Sequence, residues 1–191
     1  AAMSASQATV APAHIAQRLT CPPPALEGAL CARLARWRQQ KPEFQQGGSA
    51  AAQQVLTHFL TERAKGYQHF ISKPEGSRSH CSRLSPYLAW GNLSLRQVYQ
   101  ALKHRQSQGG WGRALSAFES RLHWHCHFIQ KFEMECRMEH EDLNRGYHEH
   151  PRRNDPERLS AWQNGTTGYP LIDASMRCLL HTGYINFRSR A

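Results

Sequence analysis

The sequence predicts an all-α domain. Two observations carry that expectation: apolar residues recur at spacings of three and four along most of the chain after residue 49, and no segment alternates with the period of two that a half-buried strand needs. Clusters of Gly, Ser and Pro cut the periodic stretches into five or six helices. Residues 1–46 read as a lead-in, irregular through "CPPPAL" and then amphipathic in "EGALCARLARWRQQ", a candidate helix that "KPEFQQGG" breaks. Residues 47–191 read as the helical domain.

Within that domain, "SAAAQQVLTHFLTERAKGY" places Val55, Leu56, Phe59, Leu60 and Ala64 on one face, with Ser49 as its cap. "GYQHFISKPEGSRSHC" (66–81) reads as a loop. Ser85 before Pro86 predicts an N-cap followed by proline at the first helical position, and Gly91 stops that short helix. Ser94 caps the next, whose apolar face is Leu95, Val98, Tyr99 and Leu102. The longest helix is expected over 113–136, with Leu115, Phe118, Leu122, Ile129, Phe132 and Cys136 on one face. Residues 139–168 read as polar and irregular. A last helix spans 170–181 and ends at Gly183 in the C′ position. Asp173, in its first turn, is placed to favour the helix dipole, with an ion pair to Arg83 or Arg177 as a second role. Trp162 and Tyr169 read as core or packing residues and not as redox relays.

Composition narrows the function classes. No run of about 18 apolar residues is present, so no transmembrane helix is expected. The opening "AAMSASQATVAPAHIAQRL" has no apolar h-region, and the six cysteines form no CxxC pair, which points to reduced thiols in the cytoplasm. The net charge of +10 is uneven. Residues 1–113 hold 14 Lys/Arg against 4 Asp/Glu, and residues 114–191 hold 10 against 10. Residues 63–113 alone carry nine basic side chains against Glu75. Such a half is an electrostatic footprint for phosphates, in nucleic acid or in a cofactor; the alternative is a solvated basic face.

Two strings carry candidate chemistry. In "SRLSPYLAWGNLS", Ser82, Arg83 and Ser85 precede a helix N-terminus and would make an anion cradle with its free N–H groups; an ordinary Ser–Pro cap with an exposed arginine fits the same residues. In "HWHCHF", His123 and His127 are four apart on one helical face, as in zinc motifs. No acid lies between them and no CxxC supports them, so histidines lining a polar pocket are expected instead of a metal site. G-x-S-x-G, G-x-G-x-x-G and P-loop strings are absent.

"CSRLSPYLAWGNLSLRQV" and "WQNGTTGYPLIDASMRCLLHTGYINFRSRA" resemble signature segments of the FAD-binding domain of the photolyase/cryptochrome family. "GGSAAAQQVLTHFLTERAKGY" and "FESRLHWHCHFIQKF" resemble the same domain in the same order, so the resemblance covers residues from about 47 to 191. It implies the N-terminal half of a helical FAD-binding domain, without the antenna domain and incomplete at its C-terminus: a naturally short relative or a fragment. Many family members use light to pass an electron from reduced flavin to a pyrimidine dimer flipped into the pocket.

By position, the resemblance makes Tyr67, Cys81, Ser82, Arg83, Leu84 and Ser85 the segment around the FAD phosphates, with Cys81 where many members have threonine. Phe118, Arg121, Trp124, His125 and Phe128 fall on the helix lining the flavin and dimer pocket. Trp124 would stack on the flipped base and His125 would share the catalytic pocket. Phe187 stands where many members have asparagine, and Arg188 and Arg190 match a basic pair. Arg83, Trp124, Arg188 and Arg190 would meet DNA. The function implied is FAD-dependent, blue-light repair of cyclobutane pyrimidine dimers on single-stranded DNA. The rivals are a light-sensing flavoprotein without repair and a flavin-free basic DNA-binding module. Two structural expectations follow: Trp124 and Arg188 border one cleft, and the apolar face of Ile172, Met176, Leu179 and Leu180 is covered by the 113–136 helix, the 22–40 segment or a second copy, as in a homodimer.

Overall fold

The computed structural model describes residues 41–151 and 153–190. The helix expected at 27–40 lies outside them. Among the described residues there is no strand, and eight α-helices follow one another: α1 Ser49–Thr61, α2 Tyr67–Phe70, α3 Pro74–His80, α4 Ser85–Ala89, α5 Leu95–Ser107, α6 Gly112–Met134, α7 Pro156–Asn164 and α8 Pro170–Thr182. Short 3-10 turns occupy Arg63–Gly66, Cys136–Glu139 and Arg145–Tyr147.

The core forms where the apolar faces of α1, α5 and α6 meet. Leu56 and Phe59 of α1, Val98 and Leu102 of α5, and Leu115 and Phe118 of α6 are all buried. Phe59, Tyr67 and Phe118 pack edge to face, with ring centroids 4.7–5.6 Å apart, an arrangement favoured by the ring quadrupoles. Ser94 caps α5 as expected and forms a full capping box with Gln97. Arg105 fastens the end of α1 to the α5–α6 turn. It donates to Leu60 O at 3.1 Å and Gly109 O at 2.7 Å, and its guanidinium lies 4.5 Å from the Trp111 ring.

Several local expectations change. Residues 66–81 are not a loop: they fold into α2 and α3, the second started by Pro74 at its first turn. Gly76 is there for space, since a Cβ would come 2.4 Å from Phe70 Cδ1. Ser49 and Ser85 are not caps; each is the first helical residue, behind Gly48 and Leu84. The "irregular" 139–168 stretch contains α7, with Asp155 accepting from Arg158 N as its cap, Pro156 behind it and Gly165 closing it at a left-handed φ of 65°. The buried residues of α6 all lie in its first half. Ile129 and Phe132 therefore do not extend the core; with Phe128 and Met134 they stay exposed.

The last helix behaves as expected at both ends. Gly183 ends α8 with a φ of 66°. Asp173 is buried and accepts from Thr167 N at 2.8 Å, Thr167 Oγ1 at 2.7 Å and Gly168 N at 3.0 Å, with Arg177 at 3.8 Å and not Arg83 as its ion-pair partner. The Thr167 hydroxyl bond is the main reason its carboxyl is held below the usual range. The "NGTTGYPLID" string is thus a turn pinned on one carboxylate. Helix α8 packs against α7. Met176 is buried but Ile172 and Leu180 are exposed, and Trp162 and Tyr169 are exposed as well, so neither is a core residue.

Candidate functional site

The segment Cys81–Ser85 joins α3 to α4. Arg83 sits at a left-handed φ of 57°, which costs an L-residue about 1–2 kcal/mol. Leu84 follows in the right-handed region, at φ −89° and ψ −12°. A left-handed residue followed by a right-handed one turns successive N–H groups toward one side, the backbone arrangement of an anion-binding nest.

The carbonyls of this segment are taken by distant side chains. Arg63 donates through Nη1 to Cys81 O at 2.9 Å and through Nη2 to Ser82 O at 3.4 Å, while Gln45 Nε2 donates to Arg83 O at 2.8 Å. In a trans peptide the N–H points opposite to the carbonyl of its own unit. The N–H groups of Ser82, Arg83 and Leu84 therefore face away from Arg63 and Gln45. Among the described residues, none of the three donates to a backbone carbonyl.

The charge around the segment is mostly that of arginines, with Glu62 as the carboxylate that acts on Arg63. Burial lowers the pKa of Arg63 and of Arg83; Arg83 lowers Arg63 further, and Arg78 lowers Arg83 further. The Arg83 guanidinium lies 4.8 Å from the Tyr184 ring centre, and Arg78 reaches Cys178 Sγ at 3.2 Å and Thr182 Oγ1 at 3.3 Å. The Tyr184 hydroxyl, raised mainly by burial, feels Arg83, Arg190 and Arg63. Burial pushes the Cys81 thiol up to about 11, so it does not supply a compensating thiolate. Glu62 is engaged by His58 at 3.0 Å. Among the described residues, no carboxylate pairs with Arg63, Arg78, Arg83 or Arg190. The Nε atoms of Arg63 and Arg83 are buried without an acceptor. Half-buried like charges without a counter-ion are costly, and an anion offsets that cost.

The other residues singled out from sequence divide into three groups. Tyr67 and Phe118 are core residues, 5% and 2% exposed, so their rings support the site from beneath and do not line it. Leu84 and Cys81 are buried and contribute backbone only; Ser82 is half-buried and Ser85 is exposed. Arg121, Phe187 and Arg188 come together where α6 meets the strip after α8: each guanidinium is 5.8 Å from the Phe187 ring centre. His125, on the same helix, is half-buried with Nδ1 unpartnered. Arg190 Nη2 turns back to Ile185 O at 3.4 Å.

Trp124 is 48% exposed. Phe128 lies tilted beside it at 5.7 Å and His127 meets it edge-on at 5.6 Å. Trp124 lines a shallow concavity with Ser116, Glu119, Ser120, His123 and His127. Arg188 and Arg190 line a different groove, with Trp162, Leu171, Ile172 and Met176. Trp124 and Arg188, expected to border one cleft, thus line different concavities among those described. Trp124 is offset by roughly 60° around the helix from Arg121, the residue that meets Phe187.

Arg63, Gln45, Arg78 and Tyr184 were not singled out from sequence. The basic run of 63–113 contains two of them, but Gln45 lies in a stretch that reads only as a helix breaker.

Comparison with known proteins places this geometry. A family profile described as the FAD binding domain of DNA photolyase matches residues 118–191. Deoxyribodipyrimidine photo-lyase of Halobacterium salinarum is 32% identical over 146 residues, covering 75% of this chain and 30% of that protein. Cryptochrome DASH of Synechocystis is 31% identical over 151 residues, covering 77% and 30%. Among solved structures, a class III photolyase from Agrobacterium tumefaciens superposes with a TM-score of 0.72 at 26% identity, covering 82% of this chain and 34% of that one. A Synechocystis cryptochrome gives 0.68 at 31% identity, covering 76% and 30%. The chain spans about a third of the length of these relatives. In sequence and in fold, it belongs to the photolyase/cryptochrome family, as a stretch of its FAD-binding domain.

Proposed function

We propose that this chain binds FAD, with the diphosphate on the Cys81–Ser85 nest and the Arg83 guanidinium, and that it acts in light-driven repair of cyclobutane pyrimidine dimers on single-stranded DNA. The observation that carries the FAD reading is the cluster of half-buried arginines around that nest, none of which is in an ion pair with a carboxylate among the described residues. A diphosphate supplies the missing charge and acceptors for the freed N–H groups. Arg121, Phe187 and Arg188 offer an aromatic and basic surface to the flavin end, beside the half-buried His125. When bound, FAD supplies the light-excitable electron donor; the side chains named here bind and orient it.

For DNA, the exposed Trp124 with Phe128 offers a stacking surface worth roughly 1–3 kcal/mol per base. A small chain reaches an unpaired base at lower cost than one in a duplex. The separation of Trp124 from Arg188 into two concavities favours a second reading, a light-sensing flavoprotein that repairs nothing.

One set of measurements decides among these. Titration with FAD should give a flavin spectrum that Arg83→Ala weakens by about 1.5–3 kcal/mol, as expected for losing a charge-assisted contact. A thymine-dimer oligonucleotide should lose its dimers under blue light, and Trp124→Ala should reduce that loss more than it reduces FAD content. FAD binding with no repair selects the light-sensing reading. Absence of FAD binding leaves the basic DNA-binding module.

A further inference from the structure

We propose that Arg63 is the positioning residue of the diphosphate site, acting through the backbone and not by touching the ligand, with Gln45 as its helper. The proposal rests on the FAD reading above. Its ground is how the donors of Arg63 are already spent. Nη1 serves Cys81 O, and Nη2 is shared between Ser82 O and Val55 O, each at 3.4 Å. Nε is buried. The guanidinium lies 5.8 Å from the Phe59 ring centre, against the core. Three of its five N–H donors are thus directed at backbone carbonyls, and Nε is closed off from solvent.

What Arg63 does is hold two consecutive carbonyls on its own side, and Gln45 holds the third. Three peptide planes are thereby fixed, each with its N–H pointing away from the side chain that holds its carbonyl. These bonds help hold Arg83 at its left-handed φ of 57°, a conformation that an L-residue leaves readily. Without them the segment would relax and the N–H groups would diverge. The link to Val55 O, in the middle of α1, makes the core helix the fixed frame of the nest. A lysine cannot replace this brace: its ammonium is a single point charge, whereas the planar guanidinium spans two acceptors at once.

That difference separates positioning from plain charge. Wild type, Arg63→Lys, Arg63→Gln and Gln45→Ala are titrated with FAD, with riboflavin as the phosphate-free control and inorganic pyrophosphate as competitor. Both Arg63 variants should weaken FAD and pyrophosphate about tenfold and Gln45→Ala about threefold, while riboflavin changes little. Arg63→Lys with wild-type FAD affinity would show that charge alone matters and overturn the proposal. Gln45 lies in a coil segment, so its variant reads the brace even if an Arg63 variant fails to fold. In the unmodified protein, pyrophosphate should shift the amide NMR signals of Ser82, Arg83 and Leu84 and leave the Arg63 guanidinium signals in place. Arg63 signals that move most would mark a direct contact and overturn the positioning role. If wild type binds neither FAD nor pyrophosphate, the FAD reading fails and takes this one with it; wild-type binding that no brace variant alters sinks the positioning role alone.

Discussion

Arg83 carries two functions that a single substitution confuses: a guanidinium beside Tyr184 and a left-handed backbone. Glycine separates them, because it adopts a positive φ at no steric cost. Arg83→Gly and Arg83→Ala remove the same charge, so both should bind FAD more weakly than wild type. The glycine variant should retain more affinity and melt higher than the alanine variant, by up to about 1–2 kcal/mol of avoided strain. Equal affinities would mean that the nest contributes nothing. Arg83 was legible in the sequence because "SRLS" before a proline announces itself. Arg63 and Gln45 were not, because they act on carbonyls 18 to 38 residues away, and no local pattern encodes such a reach.

Between helices, the main polar tie is Glu119 of α6, which meets Lys103 of α5 at 2.6 Å and also accepts from Gln106 at 2.9 Å and Tyr99 at 3.3 Å. The hydrogen bond from Lys103 is the largest reason that its carboxyl is held below the usual range, followed by that from Gln106. A depressed carboxyl contributes stability that is complete above its unfolded value, near pH 4.3, and is lost as pH falls through the folded value. Urea unfolding followed from pH 6 down to pH 3 should thus show a loss of stability that Glu119→Gln flattens, the variant being less stable at pH 6. Helices α1, α5, α6 and α8 were legible from their apolar period. Helices α2 and α3 were not, being short and rich in Gly, Ser and polar residues. Helix α7 buries none of its own residues, so it has no apolar face to read; only its Asp155–Pro156 start and Gly165 stop signal it.

For the whole chain, the net charge of +10 and its concentration before residue 114 predict salt-dependent binding to single strands. If four to six phosphates are neutralised, log K should fall against log salt with a slope of roughly −3 to −4 in a fluorescence anisotropy titration. A flat response would make the basic half a solvated face. How Trp124 and Arg188 relate was beyond the reach of sequence, because it depends on where the strip after α8 settles on α6. The arginine cluster lies along that seam: Arg78 and Arg83, on the first half of the chain, meet Thr182, Cys178 and Tyr184 on the last. With no carboxylate paired to it among the described residues, this seam is held by hydrogen bonds and ring contacts against the mutual repulsion of its own guanidinium groups. Dissolved ions therefore act in opposite directions on two properties of one molecule. Raising the salt should loosen its hold on DNA and, by screening that repulsion over a Debye length of about 10 Å or less, raise the melting temperature of the flavin-free chain, with phosphate more effective than chloride.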